Sequence, residues 1–298
     1  MRPSLPALGA AFAVLCLVWG TTWSVIQIGL GGIPPFTGVS LRFGIAAALL
    51  FAIARVRGVP FGRSARERWL WLGNGLLAFT VSYGVVYWCE QWVPSGLTAV
   101  LFATYPLWIT LLAWLLLPDE AATWRDGVGI LIGFGGVGVI FSEDFAALGG
   151  PDVALAAGVM MASPVAAALG TVMVKRWGAG IHPLSMSAAP MAIAAIVTGV
   201  IAAATERGRV LDWNVVSVSA LLYLAIAGSA LTFTLYYWLL ARQPAKRVAL
   251  ITYIVPIVAV AIGALRGEPL TARTIVGAAL VLGGVTLARR AGIPIRRK

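Results

Sequence analysis

Trp19, Trp23 and Gln27 recur every four residues within an apolar run, so on a helix they share one face. Thr80, Tyr83 and Tyr87 repeat the pattern in a later run, Thr98, Tyr105 and Trp108 follow in the next, and Phe233 and Tyr237 lie in a fourth. Indoles, phenols, hydroxyls and a carboxamide with almost no charge are groups that bind rather than react. A cavity walled by them suits a small amphipathic or zwitterionic solute with an apolar body, amino acids among them. Core packing is the competing reading for the deeper rings, Trp19, Tyr83 and Trp108; a buried tyrosine hydroxyl nevertheless needs a partner, which a wet cavity or a solute supplies. Trp69, Trp71, Trp88, Trp92, Trp124 and Trp213 stand near the ends of apolar runs and read as interfacial belt residues.

Arg42 is the one formally charged residue well inside an apolar run. Two roles are open to it: a counter-charge for a carboxylate solute, or a contact to another helix or a headgroup, reached by a long side chain that snorkels. No Asp or Glu sits in the middle of a run; Glu90, Glu120 and Glu268 stand at run ends. A proton-coupled carrier needs a titratable group in its pathway, so this pattern points to facilitated export or exchange. The single histidine, His182, precedes Pro183 and reads as a loop residue. Enzymatic chemistry would need a nucleophile with its base, an acid–base pair or a metal cluster, and the sequence offers none. Cys16 and Cys89 lie inside apolar runs without metal or disulfide spacing and read as packing residues. No catalytic residue, metal or cofactor is expected.

The elements that must hold these residues are membrane helices. The chain has 298 residues, 60% of them hydrophobic and 11% charged, about half the charged fraction of a soluble domain. The apolar residues come in blocks of about 20, the length that crosses a bilayer core as helix. Ten spans are predicted: 8–30, 36–54, 69–88, 95–117, 124–141, 153–174, 184–204, 215–240, 248–265 and 272–288. The first follows Arg2 and resembles a signal peptide, but its length and the lack of a cleavage site make it the first span. The net charge of +11 would suit nucleic acid, yet the basic residues sit between spans and form no stripe. With the N terminus inside, 17 of the 22 Lys and Arg fall on the inner side and four on the outer, which puts both termini in the cytoplasm.

The second half repeats the first. Tyr87-Trp88 align with Tyr237-Trp238, Ala99 with Ala249 and Pro106 with Pro256 at an offset of 150; Glu120 aligns with Glu268 and Gly135-Gly136-Val137 with Gly283-Gly284-Val285 at 148. Five spans per copy force the second to sit upside down. The fold expected is therefore all-α, with ten transmembrane helices in two inverted five-helix repeats, 1–148 and 149–298, and the binding site between them. Pro106 and Pro256, related by the repeat, each remove a backbone hydrogen bond near mid-span and read as hinges; Pro164 has no repeat partner and is a weaker hinge candidate. Gly129, Gly133, Gly135-Gly136, Gly138, Gly277 and Gly283-Gly284 let backbones approach, so helices 5 and 10 should pack tightly outside the cavity.

Trp19-Gly20, Leu41-Arg42-Phe43, the fourth-span set Ser95, Ala99 and Tyr105-Pro106 closing at Glu120, and the glycine-rich fifth span resemble the EamA family of the drug/metabolite transporter superfamily over essentially the whole chain. Aromatic amino-acid exporters of the YddG type are the comparison within it. The resemblance implies a ten-helix exporter of metabolites in a bacterial inner membrane, working by alternating access. It also makes an arginine followed by phenylalanine in the second span a general feature, which favours a structural role for Arg42. The expected partners are a small-molecule substrate and the lipid bilayer, without nucleic acid; a monomer suffices for transport, and a homodimer is compatible. The alternatives are a carrier for another metabolite or drug-like solute, a channel, a membrane-embedded enzyme, or a scaffold or receptor that transports nothing.

Overall fold

The computed structural model describes residues 5–116, 124–142, 150–240, 248 and 251–290. Glu120 and Ala249, which figure in the sequence reading, lie outside them. The described residues are helical without strands. The helices are α1 (Leu5–Leu30), α2 (Pro35–Val56), α3 (Ala65–Cys89), α4 (Ser95–Leu116), α5 (Trp124–Phe141), α6 (Pro151–Trp177), α7 (Pro183–Thr205), α8 (Val215–Leu239), α9 (Ile251–Leu265) and α10 (Ala272–Arg290). Seven of these, α1 to α4 and α6 to α8, are long and apolar enough to cross a bilayer; α9 and α10 hold shorter apolar stretches.

Local sequence accounts for the ends. Pro35, Pro151 and Pro183 open their helices at a position where no intrahelical N–H is required. Ser64 and Asn214 cap α3 and α8 by accepting the backbone N–H of Glu67 and Ser217. The polar turn Ala65–Arg68 is helical although the apolar run starts only at Trp69, because the Ser64 cap and the Glu67 carboxylate, which takes the Arg63 N–H at 3.1 Å, satisfy its first donors.

Four helices are irregular near their middles. In α3, residues Gly75–Val81 form a wide π-helical turn, and Ile226–Leu231 form another in α8. Their last residues, Val81 and Leu231, are one repeat interval of 150 apart. A hydroxyl in each turn takes the carbonyl five residues back: Thr80 Oγ1 donates to Gly75 O at 2.9 Å, and Ser229 Oγ donates to Leu224 O, two residues ahead of its turn, at 2.8 Å. Helix α4 breaks at Ala103-Thr104, just ahead of Pro106, and α6 at Met161, just ahead of Pro164. Pro256 instead lies within a continuous α9, and Pro190 within α7.

The packing pairs are α5 with α10, α2 with α7, α1 with α9 and α8, and α6 with α3 and α4. The main apolar core, around Val39, Phe43, Leu50, Phe79 and Met191, fills the space between α2, α3 and α7. Helices α5 and α10 meet backbone to backbone: a Cβ added at Gly136 would lie 2.6 Å from Gly277 O.

Candidate functional site

Where α1 to α4 face α6 and α8, side chains from both halves of the chain form a buried seam of rings and hydroxyls. Trp19 on α1 donates from its indole N–H to Thr232 Oγ1 at 3.0 Å, and its ring packs 5.4 Å from Phe233 and 5.5 Å from Tyr236. Tyr83 stands in contact with Phe43, Phe79 and Phe233. Asn74, on the turn of α3 before its π-helical segment, donates to the Tyr237 hydroxyl at 3.0 Å. Tyr105, just past the break in α4, shares a 2.7 Å hydrogen bond with Thr171 on α6 and stacks on Phe102. Thr21 shares one with Tyr223. In each of these bonds a group from the first half meets one from the second, so the seam lies between the halves.

Arg42 reaches into this seam and is fully buried. Its Nε donates to Ser229 Oγ at 2.7 Å and its Nη2 to Gly228 O at 3.0 Å, both in the wide turn of α8, while Nη1 approaches the Tyr87 hydroxyl at 3.4 Å. The guanidinium carbon lies 4.8 Å from the Tyr83 ring centre, a cation–π geometry. No described carboxylate stands within ion-pair distance of it. A buried cation held by neutral groups keeps donors and positive potential for an anion, because burying an unpaired charge is costly. Trp23, 8% exposed and packed on Phe102, carries an indole N–H without a described acceptor.

Of the other residues singled out in the sequence, Tyr87 borders the seam through Arg42 and the rest lie elsewhere. Trp108 packs edge-on against Phe134 of α5, with its N–H unpartnered among the described residues. Thr98 is buried and turns its hydroxyl back to Pro94 O. Thr80 serves its own wide turn. Tyr87 lines a small cleft with Ile26, Gly29, Gly38 and Leu224. Gln27 accepts Arg266 Nη1 at 3.2 Å at one end of the molecule. At that end Glu268 accepts from Ser95 Oγ and from Gly96 N, capping α4, and pairs with Arg266 at 3.6 Å. Arg266 also donates to Ser24 O, and the Ser24 and Ser95 hydroxyls are 3.0 Å apart. This network latches α1, α4 and the segment after α9. Nearby, Glu206 accepts Phe36 N, Thr37 N and Thr37 Oγ1 at 2.7 to 2.9 Å, so an acid from beyond α7 caps α2. At the opposite end Glu67 accepts from Ser185 Oγ in the first turn of α7.

Several seam residues escaped the sequence reading: Asn74, Thr171, Ser229, Thr232 and Tyr236. Asn74 lies six residues before Thr80 and Thr232 is the neighbour of Phe233, so neither shares the helical register of the residues singled out, and only their partners across the seam identify them. Pro190 was also missed; its carbonyl lies against Gly75, where an added Cβ would come within 3.0 Å of it. The position that opens the wide turn of α3 is thus tight for any side chain.

The sequence profile of the EamA-like transporter family matches residues 7–142 and again 154–290. Among relatives, the chain is 32% identical over 279 residues to the "Uncharacterized inner membrane transporter YedA" of Escherichia coli K12, covering 91% of this chain and 86% of that protein. It is 25% identical to the "Uncharacterized transporter YvbV" of Bacillus subtilis, covering 92% and 89%. A protein of known crystal structure superposes with a TM-score of 0.68 at 19% identity, covering 96% of this chain and 98% of the other. That likeness is one of fold.

Proposed function

Since the chain belongs to the EamA-like transporter family, we propose that it exports small amphipathic metabolites, amino acids with aromatic or other apolar side chains first among them, through the central seam by alternating access. It is a multi-pass membrane protein of a transporter family and not an enzyme. The observation that carries the proposal is the buried Arg42, held by neutral groups and stacked on Tyr83 inside an aromatic seam between the halves. Such a seam sets a buried cation beside aromatic rings, a combination that suits a carboxylate joined to an apolar body once the halves part. Each half contributes both rings and hydroxyls, so a relative tilt of the halves would open the seam to one side at a time.

Two inverted five-helix repeats, 1–148 and 149–298, are the frame we infer for this motion. The double match to the family profile and the spacing of the two wide turns support it. The 17-to-4 split of basic residues supports cytoplasmic termini, with the Glu206 and Glu268 end outside. The name of the YedA relative supports an inner membrane, and the bacterial setting rests on such relatives. One chain holds the whole seam, so a monomer in the bilayer suffices.

Counterflow in proteoliposomes tests this reading. Purified protein, unlabelled amino acid inside and a trace of labelled amino acid outside should give transient, saturable accumulation, strongest for aromatic species. Folded protein that accumulates no amino acid would withdraw the substrate class.

A further inference from the structure

Glu90 is the first residue past the long helix α3, and the sequence places it at a helix end where a carboxylate would face water. The structure buries it: 2% of it is exposed, and neither carboxylate oxygen has a hydrogen-bond partner among the described residues. Three other acids described at this end are occupied, and Asp152 stands exposed in the first turn of α6. Glu268 holds the latch on Ser95, Gly96 and Arg266, Glu206 caps α2, and Asp212 accepts from Asn214.

An ionised carboxylate without partners in such a place is costly, and the usual escape is to take up a proton. The charges that act on Glu90 are few. Glu268, beyond α9, disfavours its ionised form; Arg42 on α2 and Arg266 beside Glu268 favour it. On its own helix the neighbours are Tyr87 and Cys89. Of the other helices packed on this part of α3, α1 carries no charged side chain within Leu5–Leu30, and α6 carries Asp152 in its exposed first turn and Lys175 and Arg176 in its last. Burial outweighs the two arginines and raises the Glu90 carboxyl well above its ordinary range.

We propose that Glu90 is a proton-binding site of the outer latch, neutral in the arrangement described here and exchanging its proton with the outer solution. Arg266, with a third of its side chain exposed, and Glu268 are the latch charges that act on it. While Glu90 is neutral, Arg266 has Glu268 as its carboxylate and the latch holds α1 to α4. When the proton leaves for outer water, a second negative charge appears beside Glu268 and competes for Arg266, which loosens the Ser95 and Gly96 contacts. A proton thus closes the outer side and its loss favours opening. The sequence reading of uncoupled export rested on the lack of a mid-span acid, and Glu90 supplies a titratable group without being one. The link to export rests on the transport reading above; proton binding does not.

Infrared spectroscopy of the purified full-length chain in lipid, titrated with pH, tests the site directly. The expected result is a protonated-carboxyl C=O band that persists at neutral pH, disappears at higher pH, is lost in Glu90→Gln and survives in Glu268→Gln. Glu90→Asp keeps a carboxyl, so its band should move rather than vanish, which covers poor folding of the amide variant. Thermal stability gives a second readout. A carboxyl whose folded pKa is raised contributes its full stability below the unfolded pKa and loses it as pH rises through the folded pKa. Wild type should therefore weaken over that window and Glu90→Gln should not. A band absent at neutral pH, or one that survives in Glu90→Gln, overturns the proposal and leaves counterflow untouched; failed counterflow with the band present would sink the transport reading alone.

Discussion

Gly135 and Gly136 are adjacent and identical in type, yet their replacement by alanine should act in opposite directions. A Cβ on Gly136 would lie 2.6 Å from Gly277 O and 2.8 Å from both Leu280 Cβ and Val281 N of α10. Two of these are backbone atoms, so no rotamer change relieves the contact. Reaching the 3.4 Å at which ordinary contact begins requires α5 and α10 to part by about 0.8 Å along that line, the difference between 3.4 and 2.6. Overpacking of this kind costs about 1–3 kcal/mol, roughly a 5- to 150-fold fall in the folded-to-unfolded ratio. Gly135 is exposed, and a Cβ there meets nothing within 4 Å; alanine should be neutral or gain up to about 1 kcal/mol from helix propensity. The assay is thermal unfolding of purified protein in one detergent, both variants beside wild type. Gly136→Ala should fall and Gly135→Ala should hold or rise. Equal losses would show that the rotation of α5 against α10 is wrong, and with it the assignment of this pair as close-packed scaffold.

Three further outcomes follow from the seam and its supports. Arg42→Gln removes the charge-assisted bonds a carboxylate solute would receive, worth about 1.5–3 kcal/mol, so counterflow should drop roughly 10- to 150-fold at retained folded yield; full transport would leave Arg42 as a tie between α2 and α8. Glu206→Gln leaves one acceptor where a carboxylate serves three donors, and should cost about 1–3 kcal/mol in a stability assay; an unchanged melting profile would refute the cap. Pro106→Ala and Pro256→Ala should slow turnover while binding, measured by tryptophan quenching, stays the same; unchanged turnover would make both static kinks.

How much of this was legible in the sequence depends on which physical question a residue answers. Helical register is local, so the shared face of Trp19 and Trp23, or of Tyr83 and Tyr87, can be read from spacing alone, and so can the apolar lengths. What a face meets is decided by the rotation of one helix against another, which no spacing encodes. Trp19 and Trp108 look alike as deep indoles; one bonds Thr232 in the seam and the other packs on Phe134 of α5. The helix break at Ala103-Thr104 lies ahead of Trp108 and alters the direction of the turn that carries it. The wide turns were hidden because their cause is a hydroxyl reaching a carbonyl five residues back, and Thr80 and Ser229 are otherwise ordinary polar residues in apolar helices. Glu90 shows the same limit in electrostatic form. Position at a helix end argues for water, and only the packing around it reveals that water is shut out. On the proposal above, its protonation state follows from the packing at this end of the molecule, and a structural change that exposed Glu90 would alter its charge without making or breaking a bond in the protein's framework.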